Sequence, residues 1–450
     1  MKDIGVPLRS ILSAFQGVIP SPVATVSSDG TPNVTYVSVV RLLDDERVAI
    51  SNQFLAKTVD NLAANPSLSV RVVEPDSLLE YDLGATWLRS ERTGELFDSM
   101  RAQVDAIAEL TGMSGIFRLR SVEVLRVEDC CLVEGSVGRP SKHKPAAAGV
   151  EAIRIFMRSL DECRDLADLT ETALELLHRV CGMSSSVLLF TDDGERSLFV
   201  VAHHGSASGA AAEIAVGEGV IGVAAERRQQ ILIPHVGRAR TMNRAAAQSR
   251  SVDPHEIGLP GIEHAQSLVA TPIMRGGHLL GVLYVDSAEP GRFGSADGEL
   301  LEVIAHHLGM RLDLLNQDIE EIVTDHQTAA APGRGPTRSI SFNQHDGTLL
   351  IDGDYVIRGV AGRILFAMLS EHQRSGRVRF SNRELRMNRE LGLPAGNDNL
   401  DARLVSLRRR LAERGDPIAL ERVGRGQLEL RVEQPLALIR VDPRNLPTLA

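Results

Sequence analysis

Two polar stretches decide what this chain can fold into. One spans 134–149 and contains Gly138-Arg139-Pro140-Ser141-Lys142-His143-Lys144-Pro145. The other spans 328–338 and reads Thr328-Ala329-Ala330-Ala331-Pro332-Gly333-Arg334-Gly335-Pro336-Thr337-Arg338. Proline, glycine and charge without apolar periodicity give a segment nothing to bury, so both read as linkers. They cut the 450 residues into three parts, each long enough to close its own core. The expected domains are 1–133, 150–325 and 338–434. No internal repeat appears, and the expected fold is multidomain.

The first part is built from short alternating runs. Residues 22–27 and 33–42 flank the turn Ser28-Asp29-Gly30-Thr31-Pro32. A second turn, Asp44-Asp45-Glu46, leads into 47–51. A helix over 56–64 stops at Asn65-Pro66, strands follow over 68–73 and 81–89, and a helix over 95–110 precedes a last strand over 115–127. Many short strands with few helices predict a small antiparallel β barrel. The second part predicts an α+β domain: helices at both ends enclose strands over 185–191, 197–203, 230–233, 267–274 and 278–286. Its closing helix carries Leu301, Ile304, Leu308, Leu312, Leu315, Ile319 and Ile322 at alternating spacings of three and four. That stripe predicts a coiled-coil-like dimer seam, with packing on its own domain as the other reading.

The third part holds the run Leu400-Asp401-Ala402-Arg403-Leu404-Val405-Ser406-Leu407-Arg408-Arg409-Arg410-Leu411. Its leucines form one helical stripe for a core, and Asn397-Asp398-Asn399 stands ready to cap it. The opposite face offers Arg403 and Arg410 with Ser406 beside them, and Arg408 and Arg409 flank it. Gly424-Arg425-Gly426 then forms a basic tip between two strand-like runs. A basic helix followed by a glycine-tipped hairpin suits a winged helix, the helix in a major groove and Arg425 on phosphate or minor groove. Charge agrees. The chain carries −10 overall, yet residues from 337 onward hold 19 Arg, no Lys and 14 acids, a basic module on an acidic body.

Three family resemblances follow from these blocks. The first part resembles the flavin-binding split-barrel family that includes pyridoxamine 5′-phosphate oxidase. The carriers are Asp29-Gly30-Thr31-Pro32-Asn33 and the block from Ile50-Ser51-Asn52 through Lys57-Thr58 to Asn65-Pro66. The resemblance implies an FMN phosphate held by Lys57 and Arg41, with Ser51, Asn52 and Thr58 nearby, and a helix opening at Lys57-Thr58 suits a phosphate. Tyr36 stands where the family has a further arginine, and the C-terminal substrate segment is missing. Pyridoxamine-phosphate oxidation is therefore not expected, while deazaflavin, haem or an empty barrel stay open.

The second part resembles a GAF domain, a small-molecule-sensing fold. It does so through Val216-Gly217-Glu218-Gly219-Val220-Ile221-Gly222, Ile231-Leu232-Ile233-Pro234, Ser267-Leu268-Val269-Ala270-Thr271-Pro272-Ile273 and Gly281-Val282-Leu283-Tyr284-Val285-Asp286. A ligand would lie between its sheet and 236–266. The third part resembles the winged-helix output domains of bacterial response regulators through Leu407-Arg408-Arg409-Arg410-Leu411, Gly424-Arg425-Gly426 and Ser381-Asn382-Arg383-Glu384-Leu385, with Ser381 as N-cap. Gln427 and Val423 depart from its wing pattern.

No catalytic acid, base or nucleophile motif stands out, and His203, His204, His235, His264 and His278 lack metal-ligand spacing. Of the four cysteines, Cys130-Cys131 is adjacent, and none belongs to a disulfide framework. No apolar run is long enough to span a bilayer and no signal-peptide core opens the chain, so a cytoplasmic protein is expected. Taken together, the sequence predicts a homodimeric one-component transcriptional regulator. It would sense a small molecule or redox state and bind double-stranded DNA through Arg403, Ser406, Arg408, Arg409, Arg410 and Arg425. The alternative is an FMN-dependent oxidoreductase with regulatory modules.

Overall fold

The computed structural model describes residues 5–17, 19–53, 55–75, 77–110, 118–136, 138, 149–192, 194–205, 213–241, 264–317, 336–388, 391, 400–415, 417–424 and 427–441. A 3-10 helix, Leu8–Phe15, precedes β1 (Ser21–Val26), β2 (Pro32–Val37), β3 (Val40–Leu42), β4 (Arg47–Asn52), α1 (Ala56–Ala64), β5 (Ser67–Val73), β6 (Glu80–Glu91), α2 (Glu95–Glu109) and β7 (Ser121–Leu132). Strands run in the order β2-β1-β5-β6-β7-β4-β3, and every pair is antiparallel. β2 also touches β4, so the sheet curls back on itself. Alternation sends Val23, Val48, Ile50, Val70, Val72, Leu83 and Leu125 inward, all fully buried. The first hairpin closes where Gly30 adopts φ +84°, a conformation that favours glycine.

The central unit comprises α3 (Val150–Glu162), α4 (Leu166–Arg179), β8 (Ser185–Thr191), β9 (Ser197–His204), β10 (Glu213–Ala215), α5 (Gly219–Arg227), β11 (Ile231–Ile233), β12 (Ser267–Arg275), β13 (His278–Ser287) and α6 (Ser295–Gln317). Its sheet runs β10-β9-β8-β13-β12-β11. On one face lie α3, α4 and α6, sharing a core with Leu188, Phe190, Val201, Val269 and Leu283. On the other face α5 packs with Val187, Leu189, Val200 and Tyr284.

The stripe expected to form a dimer seam is spent inside this unit. Leu301, Ile304, Leu308 and Leu312 are buried in the core beneath α3 and the sheet, and Leu315 packs against it. Gly309 explains the close approach: a Cβ there would lie 2.5 Å from the Met274 carbonyl oxygen of β12. Ile319 and Ile322 lie outside the described residues.

α2 ties the first two units together, which the sequence did not suggest. Its Phe97, Met100 and Val104 pack on the barrel with Val39, Ala49 and Val122. Its Ala102 and Ala106, with the adjoining Leu110, enter the central core beside α5. Gln103 donates to the Leu232 carbonyl at 2.7 Å, and Asp105 pairs with Arg227 at 2.8 Å.

The C-terminal unit begins with β14 (Arg338–Asn343), β15 (Leu349–Ile351), β16 (Asp354–Ile357) and α7 (Gly359–Ser375). Then come β17 (Arg379–Ser381), α8 (Asn382–Met387), α9 (Leu400–Arg414), the hairpin β18 (Ile418–Gly424) and β19 (Gln427–Val432), and β20 (Leu436–Val441). β20 pairs in parallel with β14, so the unit runs past 434. Ser381 caps α8 in a capping box with Glu384, as its sequence predicts. Asn397-Asp398-Asn399 and the tip Arg425-Gly426 lie outside the described residues. Among the described residues no helix is long and apolar enough to cross a membrane.

Candidate functional site

In the barrel, β4 and the start of α1 carry the residues expected around a phosphate, and most are engaged internally. Ser51 Oγ accepts the Val39 N–H at 3.1 Å. Asn52 donates to Ser121 Oγ at 2.9 Å and, with Oδ1, accepts the Leu55 N–H at 3.0 Å. Thr58 Oγ1 accepts from Asn33 at 3.1 Å, which ties α1 to β2. These three hold the β4–α1 corner in shape. They do not converge as free ligands.

Two cations remain. Lys57 is exposed in the first turn of α1, whose N-terminus has no side-chain cap. Arg41 lies opposite Ala49 in the ladder, so it shares the α2-facing side of the sheet, and it donates to Ser99 Oγ of α2 at 2.7 Å. Among the described residues no carboxylate pairs with Arg41, and burial pushes its guanidinium below the ordinary value. An uncapped helix end with a lysine, and a sheltered arginine lacking an acid, both fit an anion. Lys57 and the α1 amides are open at that helix end, whereas Arg41 is already held by α2.

Sequence reasoning missed Glu123. It is fully buried and accepts from Trp87 Nε1 at 2.9 Å, Ser90 Oγ at 3.1 Å and Ser121 Oγ at 2.6 Å. Four donors, counting Asn52 at 3.4 Å, satisfy a carboxylate without a cation. Its signal was Ser121-x-Glu123 in inward strand slots, visible only once the register is known.

In the central unit, Ser185, Tyr284 and Asp286 lie on the α5 face of the sheet. Asp286 is paired with Ser185, and the Tyr284 hydroxyl donates to Asp286 Oδ2 at 3.2 Å. Burial, then the Asp286 charge, pushes the Tyr284 phenol well up; Arg240 partly opposes this. His235, just after β11, is buried. Among the described residues no cluster of His, Cys, Asp or Glu is arranged to hold a metal. Cys130 is buried and Cys131 exposed, both as free thiols, and burial pushes the Cys130 thiol up to about 11.

Residues 163–313 match the family model described as GAF domain. Residues 14–131 match the model described as Pyridoxamine 5′-phosphate oxidase. The chain thus joins an oxidase-like barrel to a GAF domain.

No curated protein matches the chain. Similar solved structures include the GAF domain of an Acinetobacter phosphoenolpyruvate-protein phosphotransferase, at 17% identity over 38% of this chain and 95% of that one, TM-score 0.31. Another is HupZ of Group A Streptococcus, at 20% identity over 29% of this chain and 97% of that one, TM-score 0.23. A third is an FMN-binding protein from Syntrophomonas wolfei subsp. wolfei, at 19% identity over 28% and 88%, TM-score 0.24.

The basic helix α9 sits against this GAF domain. Leu400, Leu404, Leu407 and Leu411 fill the C-terminal core as expected, but the opposite face, expected to be free, is covered. Arg403 is only 8% exposed, its guanidinium 5.3 Å over the Phe199 ring. Ser406 Oγ donates to the Val200 carbonyl at 2.8 Å, and Arg409 to the His203 carbonyl at 2.7 Å. The covering surface is β9. Among the described residues β10 pairs with β9 over Ser197–Phe199, and the Val200 and His203 carbonyls are taken by α9.

Arg408 and Arg410 turn inward to their own unit, donating to the Leu420 carbonyl at 3.3 Å and the Val356 carbonyl at 3.1 Å. Arg422 of β18 adds an ion pair to Asp165 at 2.6 Å. Arg425 lies outside the described residues.

Proposed function

We propose that this protein is a one-component transcriptional regulator. Its oxidase-like and GAF domains fit a sensory role, and its C-terminal unit would be the DNA-binding output, a winged helix. One observation carries this reading. α9 has a leucine face in its own core and an arginine-serine face outside it, and the hairpin β18–β19 follows directly. A sheet, three helices and a hairpin in that order suit insertion of α9 into a major groove. The arginine excess of the C-terminal part supplies phosphate contacts. In this reading Arg403 and Ser406 would read bases once that face is free, and Arg409 and Arg425, with Arg408 and Arg410 beside them, would serve the backbone.

The test is a fluorescence titration of the full chain on duplexes from its own promoter region and of random sequence, at several salt concentrations. Binding should weaken steeply with salt. Arg403→Ala should cost about 1–3 kcal/mol on the preferred site and less on random DNA. Salt-independent binding, or no binding at low salt, contradicts the reading.

The barrel's ligand in this reading is FMN, its phosphate at Lys57 and the first amides of α1. Bound there, a flavin supplies a redox-sensitive group. The chain's own part is to hold the phosphate with Lys57 and to keep the corner rigid through Ser51, Asn52 and Thr58.

A further inference from the structure

The face of α9 that the DNA-binding reading needs is the face that β9 of the GAF domain holds. Arg403, Ser406 and Arg409 cannot reach base edges while Arg403 lies over Phe199 and the other two bond the Val200 and His203 carbonyls. Ala402 of the same face is counted in the GAF core itself, with Val405 packed against it. Around this centre run two further ties, His203 to Glu413 at 3.3 Å and Asp165 to Arg422 at 2.6 Å. Apolar burial, carbonyl bonds and the Asp165–Arg422 ion pair thus join two units that only the second linker joins covalently.

We infer that this docking is autoinhibitory: the GAF domain masks α9, and DNA binds only when α9 leaves β9. This rests on the DNA-binding reading above. β9 is placed to transmit a signal. Its Leu198 and Val200 pack on the α5 face in one core with Tyr284 and Val187. Its Val201, with Phe199 against it, packs on the other face with Ala402. One strand therefore touches both the interior of the GAF domain and the masked helix, and interiors this closely packed shift between discrete arrangements. A ligand that fits only one arrangement of the sheet biases the docking by its differential affinity.

The experiment uses full-length protein and substitutions on the GAF side, away from the DNA-binding face. His203→Ala removes the contact with Glu413. Asp165→Ser removes the ion pair to Arg422 while keeping a residue that caps α4. Each should tighten duplex binding at fixed salt by between about 5- and 150-fold, the usual range of coupling between sites. Each should also speed amide hydrogen exchange over 400–414 without DNA.

Faster exchange with unchanged DNA affinity overturns autoinhibition and leaves the DNA reading standing. Faster exchange with no duplex binding in any form overturns both, while the docking remains. Unchanged exchange in both release variants overturns the docking contact itself.

Discussion

Lys57 is a side chain whose removal separates binding from folding. It is exposed on α1, so Lys57→Glu leaves the core of the barrel untouched. Removing a cation from a bound phosphate costs about 2–5 kcal/mol by analogy with close interfacial charge pairs. Flavin reconstituted into wild-type protein should therefore stay bound through gel filtration, while Lys57→Glu should lose it; equal retention contradicts the phosphate assignment. The same corner shows how residue-scale reading works and where it stops. The family resemblance marked Ser51, Asn52 and Thr58, but their bonds to Val39, Ser121 and Asn33 depend on strand pairing. Glu123 escaped notice for the same reason, since a glutamate among valines reads as an outward residue until the register turns it inward. Arg41 was legible as a cation but not as one facing α2.

At the scale of elements, periodicity told which face of a helix is apolar but not what covers it. The stripe on α6 has the spacing of a dimer seam, yet a single helix packed on a sheet needs the same residues. Leu308 decides between the two. Buried in the GAF core, Leu308→Ala should lower the stability of the folded chain by about 2–5 kcal/mol, the usual cost of such a cavity. Urea unfolding measures this, and light scattering should show no accompanying change in molecular mass. A fall in mass with unchanged unfolding would restore the seam. On α9 the leucine face was legible and fills the core as read, and the N-cap at Ser381 was legible because it is local. What lay beyond the sequence was the partner of the outer face, since β9 is some 200 residues away in the chain, as the Ser406–Val200 bond shows.

For the whole molecule, the two linkers suggested three independent parts, but contacts join them into a relay. α2 reaches from the barrel into the GAF core, and β9 reaches from the GAF core to α9. A change in the barrel or the GAF domain has a continuous packed route to the basic helix, although the proof of coupling is energetic and not spatial. The measurement that tests this account most directly is amide hydrogen exchange of the wild-type full chain with and without saturating duplex DNA at low salt. DNA should pull α9 away, so exchange over 200–204 of β9 should accelerate while 400–414 becomes more protected. If DNA binds and 200–204 exchange at an unchanged rate, α9 has not left the GAF domain and the masking account is wrong.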